Sequence, residues 1–214
     1  MGTGTEGRQR YPILAGESRI EEVIERSRFI TTLAMAASLD EARAFIGRVG
    51  SEFKRATHNC HAFLVGPPGS TALVGLSDAG EPHGTAGQPM LNVLVHSGVG
   101  DVACVVTRFF GGVKLGKGGL SRAYGGSVKR ALDLARRAER VTWRRLLVEL
   151  DYSLLESVQR VYGLHDGVLE SQRFDLTVLQ RVRVPLDREA ALLRAIGEAS
   201  AGRARVVPIE ESEA

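Results

Sequence analysis

Two stretches of the chain carry apolar residues at helical spacing. In SLDEARAFIGRVGSEFKR (residues 38–55), Leu39, Ala42, Phe45, Ile46, Val49 and Phe53 share one face. Ser38 and Glu41 stand before them at capping-box spacing, and Lys54 and Arg55 fall where a helix C-terminus favours positive charge. SRAYGGSVKRALDLARRAER (121–140) places Ala123, Val128, Ala131, Leu132 and Ala135 on one stripe and its basic residues opposite. Both segments predict helices. Between and before them lie shorter apolar runs that predict strands: SRFITTLAM (27–35), THNCHAFLVG (57–66), which ends in a Pro-Gly turn, and DVACVVTRFF (101–110), read as buried. Residues 71–89 read as a short strand and a long loop, and 91–98 as helical or mixed.

Residues 143–214 have a pattern complete in itself. RRLLVELDY alternates, with Leu146, Val148, Leu150 and Tyr152 on one face. SLLESVQRVYGL follows, with Ser153 and Glu156 at capping-box spacing and Gly163 as a stop signal. GVLESQRF and DLTVLQRVRVPL are two strands meeting near Asp175, Asp187 is placed to cap REAALLRAIGEAS, and ARVVPI is a last strand. The order β-α-β-β-α-β is that of a ferredoxin-like sandwich. The expected fold class is therefore α+β, in two domains, 25–142 and 143–214, each long enough for its own core. Residues 1–24 are expected to form a flexible tail.

Charge sharpens the division. The 214 residues carry a formal net charge of +3, but residues 1–142 hold +5 and residues 143–214 hold −2. Only four lysines occur, and three of them, Lys114, Lys117 and Lys129, lie within sixteen residues. No run approaches the ~18 apolar residues that cross a bilayer, and the first residues lack the apolar stretch of a secretion signal. A cytoplasmic protein with no membrane contact is expected. Cys60 and Cys104 are too few and too distant for a disulfide framework and read as buried thiols.

The densest chemistry is RFFGGVKLGKGGLSRAY (108–124). Residues 111–117 satisfy the G-x-x-x-x-G-K of a nucleotide-binding loop, but Gly118 stands where Ser or Thr must reach a metal ion. A broader reading survives. Gly111, Gly112, Gly118 and Gly119 let consecutive N–H groups turn inward around an anion, a helix starting near 120–121 adds its positive end, and Arg108, Lys114, Lys117, Arg122 and Lys129 supply charge. The alternative is that the glycines serve tight packing. In SDAGEPHGTAGQP (77–89), Asp78, Glu81 and His83 could make general-base chemistry or simply organise a turn. HNCH (58–61) has no second Cys/His cluster to complete a zinc site.

Three motifs in order, FKRATHNCHAFLVG, SDAGEPHGTAGQPML and VVTRFFGGVKLGKGGLSRAY, resemble the YigZ/IMPACT family over about residues 25–135. Residues 143–214 are similar to the small C-terminal domain that bacterial members add. The resemblance implies, for the first domain, the fold of the second domain of small-subunit ribosomal protein five. For the second it implies a ferredoxin-like fold similar to the last domain of elongation factor G. Eukaryotic members regulate translation by competing for a partner of a stress-activated initiation-factor kinase. Asp78, Glu81, Thr85 and Gly87 lie in the family's motif loop; His83 departs from the small residue, such as Ser, often found there. The expected function is that of a non-enzymatic RNA- or ribosome-associated protein that modulates translation, with neither cofactor nor metal. A small-molecule hydrolase or phosphotransferase using Asp78, Glu81 or His83, and a module binding an acidic protein partner in translation control, are the alternatives.

Overall fold

The apolar run at 101–110 becomes the middle strand of a sheet covered on both faces, which is why it lacks alternation. The computed structural model describes residues 10–209. The chain divides into two units, Met1–Arg140 and Val141–Ala214. The first runs β1 (Arg10–Leu14), β2 (Ser18–Ile24), β3 (Ser27–Met35), α1 (Leu39–Glu52), β4 (His58–Val65), β5 (Leu73–Ser77), α2 (Gly87–His96), β6 (Val102–Phe109), α3 (Gly116–Leu134) and β7 (Arg137–Val141). Its main sheet has the order β2-β3-β6-β4-β5 with every neighbour antiparallel. Cys104 and Val106 of β6 pack with Phe29, Leu64, Met90, Tyr124 and Val128 against α2 and α3, whereas Ala103 and Val105 pack with Ala42, Phe45 and Val49 of α1.

Ser38 caps α1 as its spacing predicts, accepting the Glu41 N–H at 3.2 Å. Glu41 reaches back one residue further than a capping box requires, to the N–H of Ala37 at 2.9 Å. Two expectations need correction. Residues 10–24 are not a tail, since β2 extends the main sheet and β1 pairs with β7 in a separate two-stranded sheet. Residues 1–9 lie outside the described residues. The second helix spans Gly116–Leu134 rather than 121–140. It starts early, with Gly119 packed on Leu115 and Leu120 buried in the core. It stops early because Arg137–Val141 is drawn into pairing with β1, although ARRAER has good helix propensity.

In the second unit, β8 (Trp143–Leu150), α4 (Leu155–Leu164), β9 (Val168–Phe174), β10 (Val178–Pro185), α5 (Glu189–Ser200) and β11 (Arg205–Ile209) follow one another. The sheet order β11-β8-β10-β9, all antiparallel, is the ferredoxin-like arrangement. Leu146, Val148, Leu150, Val178, Val182 and Val184 face Val158, Tyr162, Leu192 and Ile196. Neither expected cap forms here: Ser153 and Asp187 fall inside short 3₁₀ turns that precede the two helices. No helix among the described residues is long and apolar enough to cross a membrane.

Candidate anion-binding site

Strand periodicity puts Arg108 on the sheet face that carries α2 and α3. It lies opposite Phe29 on one neighbour and His58 on the other, just past the apolar core. Arg108 is only 4% exposed. Its Nη1 donates to Glu81 Oε1 at 2.7 Å and its Nη2 to Ser27 Oγ at 3.2 Å. The Tyr124 hydroxyl donates to the same Glu81 oxygen at 2.8 Å, and His58 Nε2 lies 3.8 Å from it. The guanidinium is 5.5 Å from the ring centres of both Phe29 and Phe110. Ser27 Oγ also accepts the Gly111 N–H at 3.2 Å. A buried ion pair thus fastens the motif loop, β3, α3 and the glycine segment together. Arg108 was expected as a free charge for an anion; instead Glu81 balances it, while its Nε is buried without a partner.

The motif loop is held by Asp78. Its Oδ1 accepts the N–H groups of Ala86 and Gly87, both at 2.9 Å, and its Oδ2 that of Gly84 at 2.8 Å. Ala86 and Gly87 are the N-cap and first residue of α2, so Asp78 caps that helix from outside it. Gly87 is closely packed: a Cβ there would lie 3.0 Å from the Ser77 nitrogen, so the neighbouring strand would have to give by a few tenths of an ångström. The Thr85 hydroxyl donates to the Pro82 carbonyl at 2.6 Å. His83 projects fully into solvent, 3.8 Å from Asp78. With Asp78 saturated by backbone donors and Glu81 bound to Arg108 and Tyr124, the three titratable groups do not form a general-base pair.

Burial works to raise the Asp78 pKa, but the N–H groups of Gly84, Gly87 and Ala86, with His83 nearby, outweigh it and hold the carboxyl below its ordinary value. A folded-state pKa below the unfolded one stabilises the fold above the unfolded value, and that contribution is lost as pH falls through the folded one. Asp78→Asn should therefore be less stable than wild type at pH 7 by about 1–2 kcal/mol. The gap should close progressively below about pH 4. Urea titrations at several pH values check this; a gap independent of pH would show that the carboxylate charge is not what holds the loop.

The glycine segment divides its work. At Gly111 a Cβ would lie 1.8 Å from the Arg26 carbonyl oxygen, so this residue serves close packing. Gly112 and Gly116 have φ of +87° and +69°, the left-handed region that favours glycine. Gly119 rests on Leu115, with 3.0 Å from its ideal Cβ to that side chain. Gly118 lies in the first turn of α3, where only Arg122 comes near. The helix has no side-chain cap at Leu115 and no acid in its first turn. Lys114, Lys117 and Arg122 are exposed around that open end.

The segment forms a ridge between two hollows. One, of about 280 Å³, is lined by Glu81, Pro82, Arg108, Phe110, Leu120 and residues 114–117. The other, of about 560 Å³, lies toward Glu25, Arg122 and Arg130. Lys129 is not part of this group. It sits three turns along α3, pairs with Asp133 at 3.0 Å and lines a different hollow with His96. Arg136 and Arg137, read from the sequence as a basic edge of the helix, lie beyond its end.

Ser27, His58, Tyr124, Phe29 and Phe110 join the cluster without having been singled out as site residues. Arg108 at strand spacing from Val106 and Cys104 was the available signal, because a charge at an inward position of a buried strand needs a buried partner. Cys60 donates to the Asp78 carbonyl at 2.9 Å, and burial above all pushes its thiol up to about 12, so it is a poor nucleophile.

Comparison with known proteins agrees with these motifs. The Impact N-terminal domain matches residues 25–132, and the domain of unknown function DUF1949 matches residues 148–203. The IMPACT family member YigZ of Escherichia coli strain K12 is 37% identical over 203 residues, covering 95% of this chain and all of that protein. The IMPACT family member YvyE of Bacillus subtilis strain 168 is 43% identical over 145 residues, 68% of this chain and 65% of its own. A crystal structure of a hypothetical protein, 36% identical, superposes with a TM-score of 0.65 over 95% of this chain and 99% of its own. With both domains matched in order and a relative aligned along its full length, the chain belongs to the IMPACT family.

Proposed function

We propose that this protein binds the phosphate backbone of RNA along the ridge at residues 111–122 and acts in the cytoplasm as a non-enzymatic, RNA- or ribosome-associated modulator of translation. The observation that carries the reading is the open N-terminus of α3, where an uncapped first turn with no acidic residue is ringed by Lys114, Lys117 and Arg122. Free helix N–H groups and a positive helix end attract phosphate, and the glycines let it approach the backbone. Two of the chain's four lysines, Lys114 and Lys117, lie on this ridge. Lysine acts on phosphate as a flexible point charge rather than a fixed fork.

The expected behaviour is that of a contact that positions without specifying. Lys114→Ala and Lys117→Ala should weaken single-stranded RNA of every sequence alike. Each should flatten the plot of log affinity against log salt by about 0.7. Gly118→Val should also weaken binding, by covering the N–H groups, with little change in slope. Electrophoretic shift or anisotropy titrations over a salt series measure both. If the lysine variants bind as tightly as wild type with an unchanged slope, the ridge is a packing device and the reading fails.

A further inference from the structure

We infer that the hollow of about 280 Å³ beside the ridge is a nucleotide pocket, with its base side formed by Phe110, Arg108 and Glu81 and its phosphate side by Lys114, Lys117 and the α3 N-terminus. This rests on the phosphate reading above and adds readout of a base to it. Pro82, Phe110, Leu115 and Leu120 give the hollow an apolar lining between two polar ends. Phe110 is 47% exposed at the rim of this hollow. Its backbone is fixed by an N–H donated to Thr57 Oγ1 at 3.0 Å, so the ring is offered from a set position. Single-stranded nucleic acids are recognised by stacking splayed bases on such rings.

Arg108 supplies the second, independent observation. It lines the hollow, it is buried, and its Nε has no hydrogen-bond partner. Buried donors are rarely left unpaired, because an unmade hydrogen bond carries the full cost of desolvation. That N–H has almost no accessible surface, so the Arg108 side chain must turn toward the hollow for an acceptor on a base stacked at Phe110 to satisfy it. The attached 5′-phosphate then reaches the first turn of α3, which spans 19 residues and carries no cap.

Calorimetric titration of the full-length protein tests the pocket with inorganic phosphate, the four nucleosides and the four nucleoside 5′-monophosphates. At least one monophosphate should bind about tenfold or more tighter than both phosphate and its own nucleoside. Phe110→Ala and Phe110→Leu, at a half-exposed position, should each remove that advantage while leaving phosphate binding unchanged. Against homopolymer RNAs, Phe110→Ala should weaken one sequence more than the others and leave the salt slope intact, unlike the lysine variants. Monophosphates binding without any RNA binding would support the pocket as a free-nucleotide site and overturn only the RNA reading. Monophosphates no tighter than inorganic phosphate, with all homopolymers unaffected by Phe110→Ala, would overturn the pocket even where the lysine effects stand.

Discussion

Glu81→Ala should destabilise the first unit by about 3–5 kcal/mol, because it strands the Arg108 charge in the interior. Arg108 is 4% exposed, and its remaining partner is the neutral Ser27 hydroxyl at 3.2 Å. The substitution also takes the acceptor from Tyr124, whose hydroxyl is buried against Glu81. Thermal unfolding followed by circular dichroism measures the loss, and Trp143, the chain's one tryptophan, reports separately on the second unit. Two further variants locate the cause. Glu81→Gln keeps an oxygen at the same place and should cost less. The pair Glu81→Leu with Arg108→Met removes both charges and should recover most of the stability, since an ion pair replaced by apolar residues of similar volume is often neutral. An unfolding curve for Glu81→Ala that overlies wild type would mean that the ion pair does not fasten this corner.

Gly111→Ala should cost about 3 kcal/mol, at the upper end of overpacking effects. The added methyl would sit 1.8 Å from the Arg26 carbonyl oxygen, 2.1 Å from its carbon and 2.6 Å from the Ser27 nitrogen. These are backbone atoms and have no rotamer to escape into. The turn they belong to has little slack, because Glu25 and Arg26 both hold positive φ, 46° and 64°, without being glycine. Relief would require parting the glycine segment from the β2–β3 turn, which breaks the Gly111 N–H bond to Ser27 and disturbs the Ser27 contact to Arg108. Gly112→Ala is the matched comparison. It has φ of +87° but open space around it, so it should cost only about 1–2 kcal/mol from backbone strain. Equal losses at the two positions would show that conformation rather than contact fixes Gly111.

The same turn explains what the sequence concealed. A two-residue hairpin normally announces itself by Asn-Gly or Gly-containing dipeptides. Here Glu25 and Arg26 take the left-handed conformations, so nothing marks SRIEEVI and SRFITTLAM as paired strands. Residues 10–24 consequently read as a tail. The ferredoxin-like unit was legible because its alternation and its order of elements are local properties. The start of α3 was not, since three glycines in its first turn argue against a helix and only packing of Leu115 and Leu120 decides for one. At the candidate site, Lys114, Lys117 and Arg122 could be grouped from their nearness in the chain. Ser27, Glu81, Arg108 and Tyr124 come from four separate segments, and their convergence is a product of the sheet register that no spacing reveals.

The pairing of β1 with β7 sets the order in which the first unit can be completed. Tyr11 donates to the buried Asp101 at 2.7 Å, Arg140 donates to the same carboxylate at 2.5 Å, and Ala15 N–H closes on the Arg136 carbonyl at 3.0 Å. One side of this seam lies at Arg10–Leu14 and the other at Arg137–Val141, so the second is translated well after the first. At roughly 5–20 residues per second, the first strand waits on the order of ten seconds for its partner to be translated. Meanwhile β2 and β3 can form their local hairpin, and β3, β4 and β6 can assemble once β6 has emerged. The seam therefore closes over an existing sheet. Contacts absent from the folding transition state change mainly the unfolding rate, so a seam that closes last serves as the unit's latch against opening.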